Sequence, residues 1–244
     1  VRADRASGWG AASDDRHNST VTTKKASNAS LPSERRARLV RLAGELFAEK
    51  GFRATTVREI ADAAGILSGS LYHHFDSKES IGDEILSGFL DEVLTGYREA
   101  AAGTDDPRTT IEQFVRSSAA TLARHRAALT MLQNDWSHFR AMPRFDYLRT
   151  ATREIEHLWV DQLEQGKQSG LFRPDLDARL TYRLLRDVLW IPTRWGQSSS
   201  NGWDTDQIAD AVLRLIFDGI VARDSRPAGT SPADRQGRAR PTRS

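Results

Sequence analysis

The sequence predicts an all-α protein in two parts, and three observations predict it. Apolar residues recur at three- and four-residue spacing through most of residues 33–222, and no stretch sustains the alternation of a strand. Helix-starting and helix-ending residues punctuate the same region at regular intervals. Residues 55–79 read as two short helices joined by a tight turn, followed at once by a third helix.

The elements follow in order. Ser33 starts a helix running to Lys50, with Leu39, Ala43, Leu46 and Phe47 on one face and Gly51 as its stop. Thr56 and Glu59 have capping-box spacing and open a second helix, which Gly65 ends. Ser68 is expected to cap a third helix that stops near Phe75, and Asp76 or Ser77 a fourth that reaches about Ala101. Gly103 to Pro107 break the chain. Further helices are expected over about Pro107–His125, Ala127–His138, Phe145–Gln168, Asp175–Trp195 and Thr205–Arg223. Pro192 should kink the penultimate one.

This organisation divides the chain into four: a disordered N-terminal arm (1–32), a helix-turn-helix head (33–80), a larger helical domain (81–222) and a disordered basic tail (223–244). Charge is unevenly placed. Residues 33–80 carry 8 basic and 7 acidic residues, residues 81–222 carry 16 and 21, and the tail 6 and 2. Attraction to phosphate must therefore depend on where single charges sit, because the head is not basic as a whole. Lys24 and Lys25 in the arm fit either a minor-groove contact or a solvated leader. The chain has no Cys, which excludes disulfides and thiol chemistry. No apolar run approaches a membrane span, no secretory segment opens the chain, and a cytoplasmic location is expected.

The head carries the chemistry of nucleic-acid reading. Val57, Ile60, Ala61, Ile66, Leu71 and Phe75 are the residues that pack its helices. Ser68, Gly69, Ser70, Tyr72, His73 and His74 then remain on or near the outer side. In a helix-turn-helix the second helix enters the major groove N-terminus first, which places Ser68, Gly69 and Ser70 nearest the bases. Small residues let the backbone approach, and a hydroxyl donates or accepts. Tyr72, His73, Lys78 and the hydroxyls of Thr55 and Thr56 suit phosphates. Other readings stand beside these: Tyr72 can equally close the small core, and Thr56 can simply cap. The adjacent His73 and His74 diverge on a helix, so no metal site is expected.

The run Phe47-Ala-Glu-Lys-Gly-Phe-Arg-Ala-Thr-Thr-Val-Arg-Glu-Ile-Ala, then Gly65, then Gly69-Ser-Leu-Tyr-His-His-Phe-Asp-Ser-Lys-Glu79 resembles the TetR family of bacterial regulators over about 45 residues. The resemblance implies a dimeric repressor that binds a double-stranded DNA operator and is released by a small molecule. It implies a recognition helix over Ser68–Phe75 and phosphate contacts at Thr56, Tyr72, His73 and Lys78.

The larger domain holds four of the six Trp residues: Trp136, Trp159, Trp190 and Trp195. Arg183, Arg186, Trp190 and Arg194 share one helix stripe. Guanidinium groups bind phosphate or carboxylate while Trp stacks on flat or alicyclic groups, so the stripe suits an anionic ligand with a bulky apolar part. Ion pairs and an aromatic anchor at a subunit interface are the competing reading. Asn134 and Trp136, in Gln133-Asn-Asp-Trp, either line a pocket or mark a polar surface over one buried Trp. Ile208, Val212, Leu215, Ile216 and Gly219 form a broad apolar face on the last helix, assigned to homodimer formation.

Five segments together are similar to actinobacterial TetR repressors of late sterol-ring catabolism: Gly65-Ile-Leu-Ser-Gly-Ser-Leu-Tyr-His-His-Phe, Pro143-Arg-Phe-Asp, Trp159-Val-Asp, Phe172-Arg-Pro-Asp-Leu-Asp and Arg186-Asp-Val-Leu-Trp-Ile-Pro-Thr-Arg-Trp. Pro192 and the long ends depart from that pattern. The similarity implies a CoA thioester of a cholesterol ring fragment as effector, contacted by Arg186 and Trp190. A fatty acyl-CoA, fatty acid or drug-like molecule is the alternative effector. No His-Glu-x-x-His, Gly-x-Ser-x-Gly or phosphate-loop pattern occurs, so no catalytic residue and no cofactor is expected.

Overall fold

The computed structural model of the chain describes residues 32–190 and 203–220. The arm with Lys24 and Lys25, the segment holding Pro192, Arg194 and Trp195, and the basic tail lie outside the described residues. Within the described residues the regular elements are helices: α1 (Pro32–Lys50), α2 (Val57–Ala64), α3 (Ser68–Leu71), α4 (Lys78–Gly103), α5 (Pro107–Arg124), α6 (Arg126–Arg140), α7 (Tyr147–Gln168), α8 (Ala178–Trp190) and α9 (Thr205–Ile220). A single 3-10 turn, Pro143–Phe145, precedes α7.

Local chemistry explains most boundaries. The Thr56 hydroxyl accepts the Glu59 N–H at 3.2 Å, and the Glu59 carboxylate accepts the Thr56 N–H at 2.8 Å, a reciprocal cap for α2. Gly65 then takes the left-handed conformation, φ 70°, and its N–H closes back on Ala61 and Asp62. Ser77 and Ser80 form a second reciprocal cap at the start of α4. Asp106 caps α5, with Pro107 at the first helical position, where its missing N–H does no harm.

Two expectations fail here. α3 ends at Leu71 instead of near Phe75, and residues 72–74 form a turn. Ser68 is not its cap: Leu67 occupies that position and makes no side-chain bond. One more departure lies in α6, where Asp135 takes non-helical angles (φ −120°, ψ 18°) and breaks the helix beside Trp136.

Helices α1–α3 and the first turns of α4 build the head around Phe47, Ile60, Leu71 and Phe75. At 26 residues, α4 is about 39 Å long and passes without interruption from head to larger domain, so no break in the chain marks the boundary near residue 80. In the larger domain α5 packs against α4, α7, α8 and α9, while α6 packs against α1 of the head.

Phe52 is the seam. Its ring is fully buried and lies 4.9 Å from Phe47 in α1 and 4.9 Å from Phe139 in α6. Its N–H donates to the Asp135 carboxylate at 3.1 Å. Gly82 in α4 is required by this approach, since a Cβ there would stand 2.8 Å from the Phe52 ring.

Candidate functional site

The head presents one outer surface from three stretches. Thr56 and Arg58 stand exposed at the start of α2, Leu67 and Gly69 at the turn and start of α3, and Tyr72 and His73 just after it. Tyr72 is 55% exposed, so it does not close the core; Leu71 and Phe75 do. Ser68, Ser70 and His74 are half-buried on the same side.

Two residues expected to touch phosphate are engaged inside the protein. Thr55 is buried, and its hydroxyl donates to the Gly51 carbonyl at 2.8 Å and more weakly to that of Leu46. It seals the end of α1 and has no face toward solvent. Lys78 sends its ammonium to the carbonyls of Phe52 (2.9 Å), Thr55 (2.9 Å) and Arg53 (3.3 Å), and it lies 4.7 Å over the Phe52 ring. The cation at the start of α4 is thus satisfied by the free carbonyls of the α1–α2 connection, which the sequence gives no means of placing beside it. Arg36 makes the matching clasp on the far side. Its guanidinium binds Glu84 at 2.9 and 2.6 Å, donates to the His74 carbonyl and lies 4.1 Å over Phe75. Together the two cations fasten the reading unit to α4.

Sequence reasoning missed Arg58 and Leu67. The Arg58 side chain is 85% exposed and makes a long 3.9 Å pair to Asp62. A signal existed: position 58 is one turn from Asp62 on the face of α2 that Ile60 and Ala61 leave outward.

The larger domain encloses a cavity of about 370 Å³ between α4, α5, α6, α7 and α8. Its walls are mostly apolar and aromatic: Phe89, Tyr97, Trp136, Trp159, Tyr182 and Trp190. Tyr97 bonds to Ser118 deep inside, and burial pushes both the Tyr97 and Tyr182 phenols well above their ordinary pKa. They stay neutral hydrogen-bonding groups at any physiological pH. The polar edge is formed by Gln133, Arg186 and Trp190. The Arg186 guanidinium lies 5.7 Å from the Trp190 ring and 6.0 Å from the Tyr182 ring, and binds the exposed Asp187 at 2.9 and 2.8 Å. An exposed pair of this kind is weak, so an anionic ligand can replace Asp187.

The expected ligand residues divide accordingly. Trp136, Arg186 and Trp190 meet at the cavity. Asn134 does not; it is exposed in shallow grooves between α1 and α6, near Glu49 and Arg126. Helical spacing accounts for this, since Gln133 and Trp136 share a face that Asn134 leaves. Arg183 is exposed, and Arg194 lies outside the described residues. The apolar face of α9 also divides. Val212 and Ile216 pack inward, while Leu215 stands 72% exposed.

A three-helix head with an outward reading surface, joined by a long helix to a helical domain with an inner cavity, defines a ligand-responsive DNA-binding regulator. Residues 39–85 match the family described as bacterial regulatory proteins, tetR family, and residues 104–220 match the tetracyclin repressor-like C-terminal domain. The chain belongs to the TetR family; it is a transcriptional regulator and not an enzyme. It is 45% identical over 202 residues to the HTH-type transcriptional repressor KstR2 of Rhodococcus jostii (strain RHA1), covering 83% of this chain and 98% of that one. Its identity to the KstR2 repressor of Mycolicibacterium smegmatis (strain ATCC 700084 / mc(2)155) is 38% over 192 residues, 79% of this chain and 93% of that one. The solved structure of the ketosteroid transcriptional regulator KstR2 of Mycobacterium tuberculosis superposes with a TM-score of 0.73 at 42% identity, covering 78% of this chain and 96% of that one. The protein is therefore a transcriptional repressor homologous to KstR2.

Proposed function

We propose that this repressor works as a homodimer and is released from its operator by a CoA thioester of a sterol-ring fragment. The observation that carries this is the aromatic cavity edged by Arg186 and Trp190. At about 370 Å³ the cavity is at the small end of sites for drug-sized ligands, roughly 300–1,000 Å³. It suits a compact alicyclic acyl group, with the nucleotide part extending past the edge where Arg186 meets its phosphates. The similarity to a ketosteroid regulator agrees with this chemistry.

The path from cavity to DNA runs through α6. Leu132, Gln133 and Trp136 line the cavity, and Asp135 between them holds the backbone of Phe52 in the head. A ligand that shifts the broken turn at Asp135 pulls on the head, and α4 carries the displacement to the reading surface. The change in operator affinity is limited by the ligand's preference for one conformer over the other. In the operator-bound form the two α3 segments of a dimer stand about 34–36 Å apart, one DNA turn or a related spacing. Leu180 and Leu184 on α8 and Leu215 on α9 are exposed leucines suited to the subunit contact. Gly69, Ser68, Ser70, Thr56, Tyr72 and His73 supply the DNA contacts.

Electrophoretic mobility shift tests the proposal, using DNA upstream of the protein's own gene with CoA thioesters of sterol-ring acids, the free acids and fatty acyl-CoA in separate arms. Loss of the shifted band with the sterol-ring thioester alone is expected. Unchanged affinity at saturating thioester rules the mechanism out.

A further inference from the structure

Leu67 is the most exposed large apolar residue among the described residues, at 80%. It stands at the leading tip of the reading unit, immediately before α3. Its backbone is extended (φ −71°, ψ 143°). Ile66 packs into the head core, and Leu67 projects outward.

Leucine is a poor choice here for folding. The position is the N-cap of α3, where Ser, Thr, Asp or Asn would accept an orphan N–H and leucine cannot. It also leaves a large apolar side chain in water. Gly69, two residues on, repeats the pattern. It lies inside α3, not at a positive φ, and a Cβ there would meet nothing within 4 Å among the described residues. Nothing among the described residues calls for a glycine, and glycine weakens a helix. Two residues that local stability disfavours thus stand together on the surface that, on the function proposed above, faces DNA, one projecting an apolar group and the other removing one.

The leucines on α8 and α9 belong to another face, on the larger domain. The surroundings of Leu67 are instead the exposed Thr56, Arg58, Tyr72 and His73, a rim suited to phosphate. The apolar group that such a rim encloses in the major groove is the thymine C5-methyl.

We infer that Leu67 is a specificity-determining residue of the operator contact: it packs against a thymine methyl group in each half-site, and Gly69 provides the clearance that lets it approach. Ser68 and Ser70 read polar edges beside it. The preference is for a methyl group and not for a hydrogen-bonding pattern.

The test uses the full-length protein and a duplex that it enriches from a randomised library, with each thymine replaced in turn by deoxyuridine, which lacks only the methyl. Wild type should lose about fourfold in affinity at one thymine position per half-site, the loss expected from one methyl group returned to water. Leu67→Ser should bind the thymine duplex correspondingly less well and be indifferent to deoxyuridine at that position. It should melt no lower than wild type, because serine supplies the missing cap. Leu67→Ala, without a cap, should show the same indifference. The inference is overturned if no deoxyuridine substitution weakens wild type, if Leu67→Ser keeps the wild-type sensitivity, or if Leu67→Ser melts lower and so reveals a structural leucine.

Discussion

The head and the cavity domain solve opposite problems. The head is small, its core rests on few side chains, and two cations hold it in shape: Arg36 on Glu84 and the His74 carbonyl, and Lys78 on three carbonyls of the α1–α2 connection. The cavity domain has apolar surface in excess and leaves part of its interior unfilled, walled by Tyr97, Trp136, Trp159 and Tyr182. One region uses polar bonds to make a small unit rigid. The other gives up packing to make room. A repressor needs both, because a fixed reading surface cannot be displaced unless something adjoining it can change. The two meet at Phe52, whose ring belongs to both cores and whose N–H is held by Asp135 at the break in α6.

The sharpest way to break the comparison is to remove the seam. Phe52→Ala should cost about 3–5 kcal/mol, the range for a buried Phe. Thermal unfolding followed by near-UV circular dichroism should then separate into two transitions, head before cavity domain. A single cooperative transition would mean that α4 and the α1–α6 packing couple the regions without the Phe52 ring. A change at the cavity edge should behave differently. Arg186→Met should leave stability within about 0.5 kcal/mol and effector-free operator binding intact. It should weaken thioester binding by about 10- to 100-fold, the loss of a charge-assisted bond, as read by isothermal titration.

Lys78→Met tests the clasp. It should destabilise the protein by about 2 kcal/mol in urea titration, because three carbonyls lose their charged donor. If Lys78 instead served DNA phosphate, stability would be unchanged and only operator affinity would fall. Asp135→Ala should cost about 1 kcal/mol, one hydrogen bond, while narrowing the ratio of operator affinities without and with thioester.

The smallest effect concerns acid. Glu92 in α4 is lowered to a pKa of about 2, chiefly by its bond to Arg124, with His125 and Thr121 assisting. Its folded pKa is depressed, so its contribution to stability is full above the unfolded value of about 4.3 and disappears as pH falls toward 2. Glu92→Gln should flatten the melting temperature over that window only. Glu59, lowered to about 2 by Lys50 and by its cap on Thr56, gives the same window in the head. Acid therefore loosens both regions together, unlike Phe52→Ala.

How much of this was legible in advance differs by region for a physical reason. The caps at Thr56–Glu59 and Ser77, the glycine stop at Gly65 and the apolar face of α1 depend on neighbours within a turn, and they stand where the sequence places them. Trp136, Arg186 and Trp190, which residue type and helical spacing single out in the sequence, meet at the cavity. Asn134 was misplaced because adjacent helical residues point apart by nearly a third of a turn.

By itself the sequence determined the all-helical class, the helix-turn-helix and the family, because these rest on short-range spacing and on motif residues. Only the tertiary structure decided the internal roles of Thr55 and Lys78, the joining of the two regions at Phe52 and the set of side chains that wall the cavity. Lys78 bonds carbonyls 23–26 residues away, and Tyr97 meets Trp159 from another helix. Such partners are chosen by the packing of whole helices, which no local pattern encodes.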